Sequence, residues 1–218
     1  MAPPLLLGHR GLRIPGEPPE NSIAAFDRAL ELGCEGFEFD VRRSGDNHLV
    51  ICHDPQYAAR EIASTAYAHI AQLPLLDDVI ARYAGRAFLD IELKVPGTEE
   101  DTLASLASHK VRSGFVISSF FPSVLQQVRW LNAGVPLGFL CDRDSSLTHW
   151  RELPGDYVIP HFSLLTPDLI SAFHDLGRKA LVWTVNTPED MSRFGAWGVD
   201  GIISDDPALL VRTLRPRI

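Results

Sequence analysis

The chain has 218 residues, 45% of them hydrophobic and 22% charged, which suits one large globular domain and is too apolar for disorder. Its formal net charge of −8 excludes a nucleic-acid track, which needs a basic stripe. No polyanionic partner is implied.

Leu5–Leu7 is a short, fully apolar strand of the kind buried on both faces in a parallel sheet, and it ends at Gly8-His9-Arg10-Gly11. After a loop rich in Pro and Gly, Asn21 or Ser22 caps a helix that presents Ile23, Phe26, Ala29 and Leu30 on one face and stops at Gly33. In the strand at 36–41, Phe37, Phe39 and Val41 alternate with Glu38 and Asp40, so the two carboxylates point the same way. Arg43–Asn47 supplies turn residues and Leu49–Cys52 a second apolar strand. A parallel crossover needs about a dozen or more residues, so these two runs form an antiparallel hairpin. Folding it about Asp46 and Asn47 sets His53 opposite Asp40.

Residues 55–73 are weakly patterned, and a helix is predicted at 75–84. Strands follow at Ala87–Glu92, Phe115–Ser118, Pro136–Leu140, Tyr157–Ile159, Ala180–Thr184 and Gly201–Ile203, with helices near 99–112, 122–132, 145–152, 166–176, 188–195 and 207–214. Thr166-Pro167 and Thr187-Pro188 each place Thr at an N-cap and Pro at the first helical position. Eight such alternating units predict an α/β chain closed into a single (β/α)8 TIM barrel over 1–218, with an open doubly wound sheet as the alternative. A hairpin arm at about 42–53 follows the second strand, and a short insertion occupies about 55–73.

Cys34, Cys52 and Cys141 are odd in number and widely spaced, which predicts free buried thiols and a reducing compartment rather than a disulfide framework or zinc site. The opening residues lack the charge and apolar length of a signal peptide, and no run approaches the roughly eighteen apolar residues of a spanning helix. A cytoplasmic protein without stable membrane insertion is expected.

In such a barrel the chemistry lies at the C-terminal strand ends. There fall His9 and Arg10, Glu38 and Asp40 with His53 on the arm, Glu92 and Lys94, Ser118 and Ser119, His161, and Trp183 with Asn186. Glu38, Asp40 and Glu92 facing one another would repel, and a divalent cation removes the conflict. An all-oxygen donor set selects Mg2+ or Ca2+ over Zn2+. The competing reading is a salt-bridge network with Arg10 and Lys94. His9 and His53 flanking the ion suit general acid–base hydrolysis, and Arg10 and Lys94 suit charge on a phosphoryl group. Trp183 is a candidate pocket wall, as is His161.

Gly8-His9-Arg10-Gly11, Pro19-Glu20-Asn21, Glu38-Phe39-Asp40-Val41, Leu49–Asp54, Glu92-Leu93-Lys94, Ser119-Phe120, Trp183–Asn186 and Gly198–Pro207 together resemble the glycerophosphodiester phosphodiesterase family, which belongs with the phosphatidylinositol phospholipase C-like phosphodiesterases. The resemblance implies a barrel hydrolase that cuts a glycerophosphodiester, a small-molecule substrate, into glycerol 3-phosphate and an alcohol. It matches His9 and His53 to the catalytic pair, Glu38, Asp40 and Glu92 to the metal ligands, and Arg10 and Lys94 to the phosphate-side cations. Pro55–Leu73 departs from the family pattern in its brevity, with Arg60 standing where an arginine is expected. Alternatives are a lysophospholipase D or sphingomyelinase D-like phosphodiesterase, and a non-catalytic barrel that binds a phosphorylated metabolite.

Overall fold

Short apolar strands alternate with amphipathic helices along the chain, and the strands pair in parallel as that pattern requires. The computed structural model describes residues 3–215 and opens with β1 (Leu5–Gly8), α1 (Ile23–Glu31) and β2 (Gly36–Arg43). Next come the arm β3 (Leu49–Ile51), a ribbon of β4 (Gln56–Tyr57) and β5 (Arg60–Glu61), α2 (Leu76–Tyr83) and β6 (Phe88–Leu93). Then α3 (Glu99–Ser108), β7 (Phe115–Ser119), α4 (Pro122–Leu131), β8 (Leu137–Cys141) and α5 (Asp144–Leu147) lead to β9 (Tyr157–Pro160). The last units are α6 (Pro167–Asp175), β10 (Lys179–Val182), α7 (Pro188–Trp197), β11 (Gly201–Ser204) and α8 (Pro207–Leu214).

β1 pairs in parallel with β11 on one side and β2 on the other. The ring β1-β11-β10-β9-β8-β7-β6-β2 is therefore closed, a (β/α)8 TIM barrel rather than an open sheet, with β3 its one antiparallel appendage. Outward residues of the strands meet the helices: Phe26 of α1 stacks on Phe37 at 4.2 Å between ring centroids, and Tyr83 of α2 meets Phe37 edge-on at 4.9 Å. Inward, Leu7, Phe88, Val116, Tyr157, Leu181 and Ile203 fill the barrel. Side chains alternate across each strand, so Glu38 and Asp40, opposite outward Phe37 and Phe39, must point inward. Thr166 and Thr187 cap α6 and α7 ahead of proline, and Ser22 rather than Asn21 caps α1.

The hairpin register differs from expectation by one residue. Val41 pairs with Ile51, and the Cys52 amide donates to the Asp40 carbonyl at 2.9 Å, so Cys52 rather than His53 lies opposite Asp40. The reason is Asn47, whose φ of 67° adds a left-handed residue after the turn begun at Ser44 and makes a three-residue loop. The helix expected at 99–112 ends at Ser108, and the chain leaves it to bond the Arg112 amide to the Ala84 carbonyl at 2.7 Å. That expected at 145–152 becomes α5 plus a 3-10 turn, Thr148–Arg151, because its buried anchors, Leu147 and Trp150, lie three residues apart. Residues 55–73 fold as the β4–β5 ribbon and two 3-10 turns over a small core of Val50, Ile62, Ile70 and Leu73. Cys34 and Cys141 are buried free thiols and Cys52 is half-buried. No helix among the described residues is long and apolar enough to cross a membrane.

Candidate active site

The turn after β1 is built by two glycines. A Cβ on Gly8 would lie 1.9 Å from the Gly11 carbonyl oxygen, and Gly11 itself has φ 81°. Between them Arg10, at φ 50°, turns its amide to donate to Glu38 Oε2 at 2.9 Å, while the His9 amide donates to the Ser204 carbonyl of β11 at 2.8 Å. The His9 ring places Nδ1 2.6 Å from Asp205 Oδ1 and Nε2 3.8 Å from Glu38 Oε2. Asp205 is fixed in turn by Asn186 Nδ2, which donates to Oδ2 at 2.7 Å.

β2 and β6 run in register with Glu38 opposite Asp90 and Asp40 opposite Glu92. All four carboxylates face into the barrel and are buried. One oxygen from each of Glu38, Asp40 and Glu92 lies within 4.8 Å of the others. Lys94 Nζ sits 2.7 Å from Glu92 Oε1 and 3.4 Å from Asp40 Oδ1, and Arg10 Nε sits 3.2 Å from Asp40 Oδ2. Asn21 Nδ2 donates to Asp40 Oδ2 at 2.8 Å.

Two cations do not neutralise four buried acids. Burial pushes Glu38 well above the ordinary carboxylate range, and the charges of Asp40 and Glu92 push it further. Glu92 rises to about 7 because burial outweighs Lys94, and Asp90 rises to about 7 through burial despite the Ser118 hydroxyl. Burial also acts on Asp40, but Lys94, Arg10 and Asn21 outweigh it and hold Asp40 below its usual value. The expected salt-bridge network is thus present and insufficient: Glu38 Oε1, Asp40 Oδ1 and Asp90 Oδ2 are buried with no hydrogen-bond donor. The orphaned oxygens of Glu38 and Asp40, in a cluster of three carboxylates without thiolate or imidazole, fit a hard divalent cation.

His53 stands on the arm with Nδ1 2.7 Å from Asp54 Oδ1, and the Arg42 guanidinium holds its carbonyl through two bonds of 2.8 and 2.6 Å. Partial burial lowers the His53 pKa, against the pull of Asp54. His9, Arg10, Glu38, His53, Glu92, Lys94 and Trp183 line one pocket of about 110 Å³, closed by Phe120, Leu140 and Ile203. Trp183 is anchored by its indole N–H to the Ile159 carbonyl at 2.9 Å. His161 packs against Trp183 with ring centroids 5.2 Å apart and bonds Ser163, away from the pocket lining. Arg60 is exposed on the β4–β5 ribbon and is not among the residues lining this pocket.

Sequence reasoning missed the carboxylate behind each histidine, Asp205 and Asp54, and it missed Asp90 and the clamp of Glu20 on Arg10 Nη1 at 2.7 Å. Asp90 was findable from the same two-residue period that gave Glu92. Asp205 was not, since 196 residues separate it from His9.

The sequence profile of the glycerophosphoryl diester phosphodiesterase family matches residues 9–66 and 73–209. The chain belongs to this family. The residues between the two matched segments fall in the brief insertion after β5. The glycerophosphodiester phosphodiesterase of Caldanaerobacter subterraneus subsp. tengcongensis is 30% identical, the alignment covering 97% of this chain and 98% of that protein. Among solved structures, a glycerophosphodiester phosphodiesterase from Parabacteroides distasonis superimposes with TM-score 0.84 at 27% identity, over 96% of this chain and 95% of that one. An Oleispira antarctica phosphodiesterase, solved in complex with the product sn-glycerol-3-phosphate, gives TM-score 0.83 at 25% identity, over 97% of this chain and 96% of that one. This glycerophosphoryl diester phosphodiesterase barrel is accordingly an enzyme, a phosphoric diester hydrolase.

Proposed function

We propose that this barrel, one catalytic unit with its arm at 42–53, hydrolyses glycerophosphodiesters to glycerol 3-phosphate and an alcohol with a divalent cation, Mg2+ or Ca2+. The observation that carries the reading is that two carboxylate-backed imidazoles line one pocket with Glu38 and Glu92, whose oxygens cluster with one of the buried Asp40. The product seen in the Oleispira relative supports glycerol 3-phosphate as the retained fragment.

Glu38, Asp40 and Glu92 would hold the ion, whose chemistry is Lewis-acid stabilisation of charge on the phosphoryl oxygens. Arg10 and Lys94, already at the acids, add two positive charges on the phosphate. Asp205 would accept a hydrogen bond from His9 Nδ1–H and Asp54 one from His53 Nδ1–H, the tautomers that turn each Nε2 to the substrate. One imidazole takes the proton of the nucleophile, either water or a glycerol hydroxyl whose cyclic phosphate a water then opens, and the other gives a proton to the departing alkoxide. Trp183 supplies an apolar wall against which the glycerol would pack.

Release of glycerol 3-phosphate from a panel of glycerophosphodiesters, with Mg2+, Ca2+ or chelator, tests the reading. Glu38→Gln and Asp40→Asn are expected to lower kcat by at least about 100-fold, with an unchanged circular dichroism spectrum. Full activity of both variants in chelator would overturn the role of the ion.

A further inference from the structure

The active-site pocket is not closed on all sides. Across Glu92, Lys94, Phe120 and Leu140 it opens into a groove of about 770 Å³ that runs between Arg42, at the end of β2 beside the arm, and the segment Asp142–His149 after β8. The geometry points to this groove as the seat of the leaving alcohol, and to an alcohol that carries a negative charge of its own. This inference rests on the proposed hydrolysis of glycerophosphodiesters and adds which of them the site prefers.

The charges of the groove decide its sign. Lys94 is matched by Glu92 at 2.7 Å, and Arg143 by Asp142 at 3.1 Å. Arg42 has no carboxylate within ion-pair distance among the described residues; its guanidinium is held in place by the His53 carbonyl alone. One fixed, unneutralised positive charge therefore stands on the arm side. On the opposite side Arg143 is 72% exposed, and its bond to Asp142 is an exposed neighbour pair worth little. It is free to exchange that carboxylate for a phosphate or carboxylate on the substrate, which a guanidinium grips through two donors. In a chain of net charge −8, such a local positive groove also draws anions to the mouth.

A quaternary ammonium finds a poorer seat, since the groove offers it a single open aromatic side chain, Phe121. It needs open aromatic faces with an acid nearby. Phe120 already carries the Lys94 ammonium at 5.7 Å from its ring centroid and meets Trp183 edge-on at 5.5 Å.

The test compares glycerophosphoinositol with glycerophosphoinositol 4-phosphate, which share one scaffold and differ in charge, with glycerophosphocholine as the cationic arm. For the wild type, kcat/KM should rank the 4-phosphate above the unsubstituted inositol and both above choline. Arg143→Glu, at an exposed position that leaves the fold intact, should lower the ratio of the 4-phosphate to the unsubstituted inositol by about tenfold or more. Arg143→Lys should restore part of it. Choline turned over fastest by the wild type, or a ratio that ignores Arg143→Glu, would overturn the inference while leaving the hydrolase reading intact. No release of glycerol 3-phosphate from any of the three would instead overturn the hydrolase reading itself.

Discussion

Each proposed acid–base imidazole leans on a carboxylate at nearly the same distance, 2.6 Å for His9 and 2.7 Å for His53, but the two carboxylates differ in exposure. The Asp205 side chain is 23% exposed and is itself braced by Asn186, whereas that of Asp54 is 74% exposed. Water screens the second interaction and competes for it, so the first does more to fix its ring and tautomer. Asp205→Asn is therefore expected to cost more in kcat than Asp54→Asn, about 100-fold against about tenfold at most, with KM little changed in both. Steady-state kinetics of the two variants checks the order. If His9 is the group that protonates the leaving alkoxide, a nitrophenyl diester, which leaves without a proton, should recover most of the Asp205→Asn loss. Equal losses in the two variants would remove the argument from burial.

At the scale of elements, the β4–β5 ribbon carries local strain. Tyr57 pairs with Arg60, which leaves Ala58 and Ala59 as a two-residue loop with φ of 49° and 60°. That is the backbone of a type I′ turn, normally Asn-Gly, and an alanine Cβ clashes there with the backbone. Ala58→Asn with Ala59→Gly should raise stability by about 1 kcal/mol, read as a higher urea midpoint at unchanged slope. The ribbon borders no part of the catalytic pocket, so activity should stay the same. This element was illegible in the sequence because Tyr57-Ala-Ala-Arg60 carries none of the usual turn residues. The barrel strands were legible because their period and apolar character repeat, and the placement of Glu38, Asp40 and Glu92 followed from that period alone. The hairpin register slipped for a reason of the same kind as the ribbon: whether Asn47 takes a left-handed φ is a local choice that alternation does not reveal. Side-chain partners from distant strands, Asp205 above all, depend on barrel closure and cannot be read from local pattern.

At the scale of the molecule, the buried acids tie stability to pH and to the ion. Glu92 and Asp90 lie at about 7 in the folded chain, raised from ordinary values of 4.5 and 3.8, and Glu38 is raised as well. Without an ion, the folded state keeps protons that the unfolded chain has already released across that window. Stability should therefore fall as pH rises from the ordinary values of 3.8 and 4.5 through about 7. Asp40, Glu20 and Asp205 are depressed, so their contribution is present above the ordinary carboxylate pKa and is lost as pH falls through their folded values. His53, lowered from 6.5, opposes the first trend in a narrower window just below that value, and its partial exposure keeps its share small. In chelator, Tm should accordingly be highest at about pH 4 to 4.5 and decline from there through neutral pH. A divalent cation must displace the protons on Glu38 and Glu92, so its stabilising effect should grow over the same range in which the chelated protein weakens. Thermal melts at pH 5.5 and 8, with chelator or with Mg2+ or Ca2+, read both trends without any assay of turnover. A shift on adding the ion that is the same at both pH values would mean that the ion binds somewhere other than these three carboxylates.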